Sequence, residues 1–262
     1  MATGVQAPAR PRITARTLRR DRWWLYPAWI AVVLAAFVVY ATWRAFAGEG
    51  YYAAPYLSPF YSPCLSTGCP DGASAFGQPI SGFPYSPALI ILIFPLALRL
   101  TCYYYRKIYY RSFWLSPPAC AVAEPHRRYT GETRFPLILQ NIHRYSFYIA
   151  ALYPPILLYE AILSFRNEAH EWGHMGIGTL VLLVNAILLG IYTYSCHSCR
   201  HVFGGRLRSF SRHPIRYRMW TWISNRNANH GLWAQVSLFS VALADLYVYL
   251  VATGVISDLR FF

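Results

Sequence analysis

Apolar residues in this chain fall into five long blocks separated by polar, glycine-rich or proline-rich stretches, and the block lengths dominate the pattern. The first runs from Trp23 to about Phe46, with Trp23, Trp24 and Tyr26 at one end and Trp43 at the other. About 20 apolar residues suffice to cross a bilayer, and aromatic residues gather at its two interfaces, so this block predicts a spanning helix. Further blocks at about 87–110, 143–165, 173–194 and 231–255 predict four more. Pro95 is tolerable inside the second, whereas Pro154-Pro155 predicts a kink near the middle of the third. The expected fold is therefore an all-α membrane protein with five transmembrane helices: a basic arm over 1–22 and an anchor domain over 23–262.

Composition excludes an ordinary soluble domain: 56% of residues are hydrophobic, 18% aromatic and only 13% charged. A net charge of +14 would point to nucleic acid in a soluble chain, but here its placement matters more than its total. Twenty of the 24 basic residues lie in the arm, between Arg106 and Arg144, or between Arg200 and Arg226, all on one side of the predicted spans. Arg44, Arg166 and Arg260 lie on the other. Positive-inside asymmetry then predicts a cytoplasmic N-terminus and an outside C-terminus, in keeping with five crossings. Residues 48–85 hold Glu49 and Asp71 but no Lys or Arg, as expected of an exported loop. The arm suits anionic membrane lipid rather than nucleic acid, and its direct run into a spanning segment is unlike a cleavable signal. No internal repeat argues for a transporter built from duplicated halves.

The chemistry concentrates in Cys196-His197-Ser198-Cys199-Arg200-His201, where the fourth block meets the most basic loop. Two thiols and two imidazoles in six positions suit zinc, and equally a [2Fe–2S] centre with His on one iron. Without a metal, they read as interfacial residues. A continuing helix would put Cys196 and Cys199 on one face and His197 and His201 on another. Either the helix unwinds here, or one pair combines with Cys102, Cys120, His126 or His143. On the exported side, Cys64 and Cys69 between prolines predict a disulfide. His170-Glu171-Trp172-Gly173-His174 has the form of an H-E-x-x-H zinc-protease motif, but Gly173 weakens a helix and no third ligand is evident. Glu160 and Asp245 interrupt apolar blocks, where ionisable groups are costly and are candidates for function or for pairing. No His lies near the middle of a predicted span, which argues against a haem with paired axial imidazoles.

At Cys102-Tyr-Tyr-Tyr-Arg-Lys107, Pro117-Pro-Ala-Cys120, Tyr129-Thr-Gly-Glu-Thr-Arg-Phe-Pro136 and the cysteine–histidine run, the chain resembles an actinobacterial succinate dehydrogenase membrane anchor of the Rieske-type-cluster kind, over nearly its whole length. The resemblance implies a five-helix anchor in the plasma membrane, beside flavoprotein and iron–sulfur subunits and open to higher oligomers of the complex. It also implies a [2Fe–2S] cluster in place of haem, reduction of menaquinone or ubiquinone, and no succinate chemistry in the anchor itself. By spacing and side, the candidate ligands are Cys196, His197, Cys199 and His201, with Cys120 in addition. His143, Arg144, Tyr103 and Tyr104 are the candidates for quinone. Arg206 to Arg218 form a candidate docking surface for a soluble donor, or a lipid-binding face. The rival reading is a membrane scaffold whose cysteine–histidine run folds a structural zinc knuckle.

Overall fold

The computed structural model describes residues 19–66, 69–77, 86–125, 133–135 and 137–262. The arm through residue 18, His126 and most of the Tyr129–Pro136 motif lie outside the described residues.

The first apolar block forms α1 (Leu25–Ala47). At 1.5 Å per residue it is about 35 Å long, enough for the hydrocarbon core. A two-residue hairpin follows, β1 (Tyr52–Ala53) against β2 (Tyr56–Leu57), antiparallel. The second block is not continuous. It forms α2 (Ala88–Thr101), breaks at Cys102, whose backbone is extended at φ −64° and ψ 132°, and resumes as α3 (Tyr103–Ser112). The third opens with a 3-10 turn (Leu137–Ile142), continues as α4 (His143–Ala150), and resumes as α5 (Tyr153–Leu163). Its break directly precedes Pro154-Pro155, which sit in the first turn of α5, where a missing N–H leaves no helical bond unmade. Next come α6 (Ile177–Tyr194), α7 (His197–Gly204), α8 (Pro214–Asn227) and α9 (His230–Ala252). Among the described residues, Leu25–Ala47, Ile138–Leu163, Ile177–Tyr194 and His230–Ala252 are each long and apolar enough to cross a membrane, and α2 with α3 makes a fifth if counted as one broken span.

The chain divides into two compact units, 1–36 with 100–141 and 37–99 with 142–262. In the first, Arg19 pairs with Asp21 and donates to the Cys120 carbonyl at 2.8 Å, while the Arg106 guanidinium lies 3.9 Å from the centre of the Tyr103 ring.

In the second unit, α6 packs against α5 and α9. The contacts mix small and large residues: Ala161, Ala186, Ala234 and Ala244 are buried with Leu182, Leu238 and Val248, while Val184, Ile187, Phe239 and Leu243 face outward. The alanines allow the close helix approach that, rather than water exclusion, holds a bundle together in lipid, and the outward Val, Ile, Phe and Leu face the hydrocarbon. At Gly178, a Cβ would lie 2.6 Å from the Tyr56 ring, so the glycine lets α6 start directly on β2. Asp258 fastens the same corner, accepting from the Tyr56 and Tyr247 hydroxyls at 2.6 Å and from Gly178 N at 3.0 Å.

Candidate functional site

The cysteine–histidine run folds as a break followed by a short helix. α6 ends at Tyr194, Ser195 caps it, and Cys196 is extended (φ −71°, ψ 155°) as the residue before α7. The chain thus takes the unwinding alternative, yet the four side chains still part. Cys196 and Cys199 turn inward, 2% and 1% exposed, while His197 and His201 face out with their Nε2 atoms 3.0 Å apart. Cys196 Sγ meets another partner: His143 Nε2, at the start of α4, lies 3.6 Å away.

Electrostatics follow the same division. Burial first, and then the neighbouring Cys196, push the Cys199 thiol up to about 12. Burial, then His201 and Arg200, hold the His197 imidazole below its ordinary range. Among the described residues, no three His, Cys, Asp or Glu side chains are arranged to hold a metal ion. The four residues chosen by spacing therefore do not form one ligand set as they stand. Cys196 with His143 is the thiol–imidazole pair that the fold brings together. Cys120 is exposed and belongs to the first unit. So do Tyr103, exposed, and Tyr104, half-buried, whereas His143, half-buried, and Arg144, exposed, belong to the second.

Two residues that the sequence reading passed over pack on Tyr192, on the turn that leads to Cys196. His230, 1% exposed, places Nδ1 2.8 Å from Ser195 Oγ, stacks on Tyr192 at 5.0 Å, and lies within electrostatic reach of His143. Arg99, inside α2, donates to the Ala234 carbonyl and the Ser237 hydroxyl, each at 3.0 Å, and its guanidinium sits 4.5 Å from the centre of the Tyr192 ring. Arg99 was findable by the argument that singled out Glu160 and Asp245, a charge within an apolar block. His230 falls one residue before the predicted fifth span, where polarity is unremarkable. Beyond Arg99 and Tyr192, an apolar cavity of about 250 Å³ runs between Phe37, Phe60, Leu92, Tyr153 and Leu157.

On the opposite side of the bundle the metalloprotease reading fails on backbone geometry. Residues 170–174 are not helical: Arg166 pairs with Trp172 as an antiparallel bridge, and His170 has φ 63°. The two imidazoles are thus not one helical turn apart, as the zinc-protease motif requires. Cys64 and Cys69 form a disulfide, which removes two thiolates from any metal set with His170 and His174. Glu160 and Asp245 both have partners. Glu160 accepts from the Ser74 backbone N–H at 3.2 Å and from its hydroxyl, and Asp245 pairs with Arg44 at 2.8 Å.

Comparison with known proteins agrees with this architecture. Residues 25–254 match the family model described as actinobacterial succinate dehydrogenase subunit SdhC. A chain of the Mycobacterium smegmatis Sdh1 complex in the apo form is 57% identical, covers 100% of both chains, and superposes with a TM-score of 0.87. No curated protein matches. A match over nearly the whole length, joined to a helical membrane fold, places the chain in the actinobacterial succinate dehydrogenase SdhC family, as a membrane-anchor subunit of that enzyme.

Proposed function

We propose that this anchor hands electrons from the flavoprotein and iron–sulfur subunits of its complex to a membrane quinone, menaquinone or ubiquinone, and that Cys196 and His143 help to hold a Rieske-type [2Fe–2S] centre. The observation that carries the reading is the 3.6 Å approach of the buried Cys196 Sγ to the half-buried His143 Nε2. One thiol and one imidazole facing each other fit a centre of mixed sulfur and nitrogen ligation. Such a centre, when bound, supplies a one-electron relay whose imidazole ligands raise its potential above that of an all-thiolate cluster.

The chain's own groups do the rest. Burial of Cys196 keeps water from the sulfur. The Ser195 hydroxyl and the Tyr192 ring fix the His230 imidazole beside the pair. The apolar cavity takes the apolar body of a quinone, and Arg99 at its edge offers a cation to the charge that develops on a reduced carbonyl oxygen. His143 and Arg144 stand at the start of α4, at the basic end of the bundle. That basic end faces the cytoplasm in the plasma membrane, by the charge asymmetry of the loops.

Iron content of the purified complex tests the ligand assignment against the set chosen by spacing. Cys196→Ser and His143→Ala are expected to lose the cluster's iron while the anchor stays in the membrane, and His230→Gln to lower it. His197→Ala and His201→Ala are expected to keep it. Full iron in the first two variants, or its loss in the last two, would move the centre back to the run itself. A colourless, iron-free anchor containing stoichiometric zinc would favour the scaffold with a zinc knuckle.

A further inference from the structure

His197 and His201 are left unused by the site above, and their geometry has a purpose of its own. They lie one turn apart on the exposed face of α7, their Nε2 atoms joined by a 3.0 Å hydrogen bond and their ring centres 4.5 Å apart. Nitrogen ligands about 2.0–2.1 Å from a zinc ion, at angles of roughly 90–110°, stand about 2.9–3.4 Å from each other. The hydrogen bond already holds the two nitrogens at the near end of that range, so a metal ion that displaces its proton needs only a small movement of the rings. The two rings open onto a cavity of about 460 Å³ that is also lined by Arg200, Gly204, Arg206 and Trp220. Gly204 lets the Trp220 ring pack directly on α7 as one wall of the cavity, since a Cβ there would stand 2.1 Å from that ring. Arg200 is drawn aside, its guanidinium 5.0 Å from the centre of that ring, so the entrance to the two nitrogens is not filled by it.

We propose that His197 and His201 form a two-imidazole site for a divalent transition metal of borderline softness, of the zinc and copper class, independent of the Cys196–His143 pair. Water or a small anion completes the coordination, with Arg200 and Arg206 balancing an anion's charge. Two ligands from one helical turn cross-link that turn, so occupancy stiffens α7, which begins directly after Cys196.

The probe is zinc alone, titrated calorimetrically into the detergent-solubilised complex in phosphate-free buffer. Wild-type complex is expected to bind one zinc per anchor that His197→Ala and His201→Ala each weaken roughly tenfold or more. The same zinc should raise the thermal midpoint of wild type and not of either variant. Normal iron content in both variants shows that they fold and keeps this outcome separate from the cluster assignment. Equal zinc binding in wild type and both variants, or none in wild type at micromolar zinc, overturns the site. Inorganic phosphate binding without zinc, abolished by the same substitutions, overturns it too and makes the cavity an anion site.

Discussion

Arg44 and Asp245 are wholly buried and 201 positions apart in sequence. The carboxylate also accepts from the Tyr40 hydroxyl at 2.6 Å and from Ser58, while Arg44 donates to the Glu49 and Gly50 carbonyls and packs on Tyr249. Removing one partner strands the other charge in the buried interior, at a cost of about 3–5 kcal/mol. Arg44→Ala is therefore expected to lower the thermal midpoint of the detergent-solubilised complex substantially, and Arg44→Met with Asp245→Leu to recover much of the loss. Equal damage from the single and double changes would contradict a paired-charge account. At this scale the sequence shows which residues are anomalous but not whom they meet. Asp245 and Glu160 stand out because a charge in an apolar block is rare, yet nothing local indicates Arg44 or Ser74. The density of ligands in the Cys196–His201 run pointed to one centre. One extended residue, Cys196, and the inward turn of its side chain onto His143 depend on tertiary packing, and no spacing rule contains them.

At the scale of elements, long apolar blocks were legible and short polar helices were not. α7 and α8 fall in what reads as a basic loop; among the residues of α8 only Ile223 is buried, so no apolar stripe announces the helix. Their arginines do different work. Arg216 donates to the Phe203 and Gly205 carbonyls at 2.9 and 3.1 Å and ties α8 to the end of α7. Arg208, Arg212 and Arg218 are exposed and available to a partner. Reversing these three to Glu is expected to release the soluble subunits and to cut succinate-to-quinone activity roughly tenfold or more, since like charges brought together at an interface repel. Dye-linked succinate oxidation by the soluble subunits should persist. Normal co-purification and quinone reduction would instead leave these arginines as topology or lipid contacts. The broken second block had a partial signal, because Cys102 opens a run of Tyr, Arg and Lys in which apolar character has already fallen away. The break at Pro154-Pro155 was readable outright, since proline cannot donate within a helix.

For the whole molecule, the five apolar blocks become, among the described residues, four candidate crossings and one bent helix pair that makes a fifth if counted as one span. The sequence could not reveal that one end of this bundle would gather Cys196, His143, His230 and Tyr192, drawn from α4, α6, α9 and the α6–α7 break, with Arg99 of α2 at the neighbouring cavity. That convergence is the basis of the claim that the anchor is a redox subunit as well as an attachment point. It is tested most directly by electron paramagnetic resonance of the purified complex, reduced with succinate, in wild type and in the His143→Ala and His201→Ala variants. The account predicts a reduced [2Fe–2S] signal of mixed imidazole and thiolate ligation that is present in wild type and His201→Ala and missing from His143→Ala, with quinone reduction lost alongside it. A wild-type spectrum without such a signal, or one that His143→Ala leaves unchanged, would contradict it.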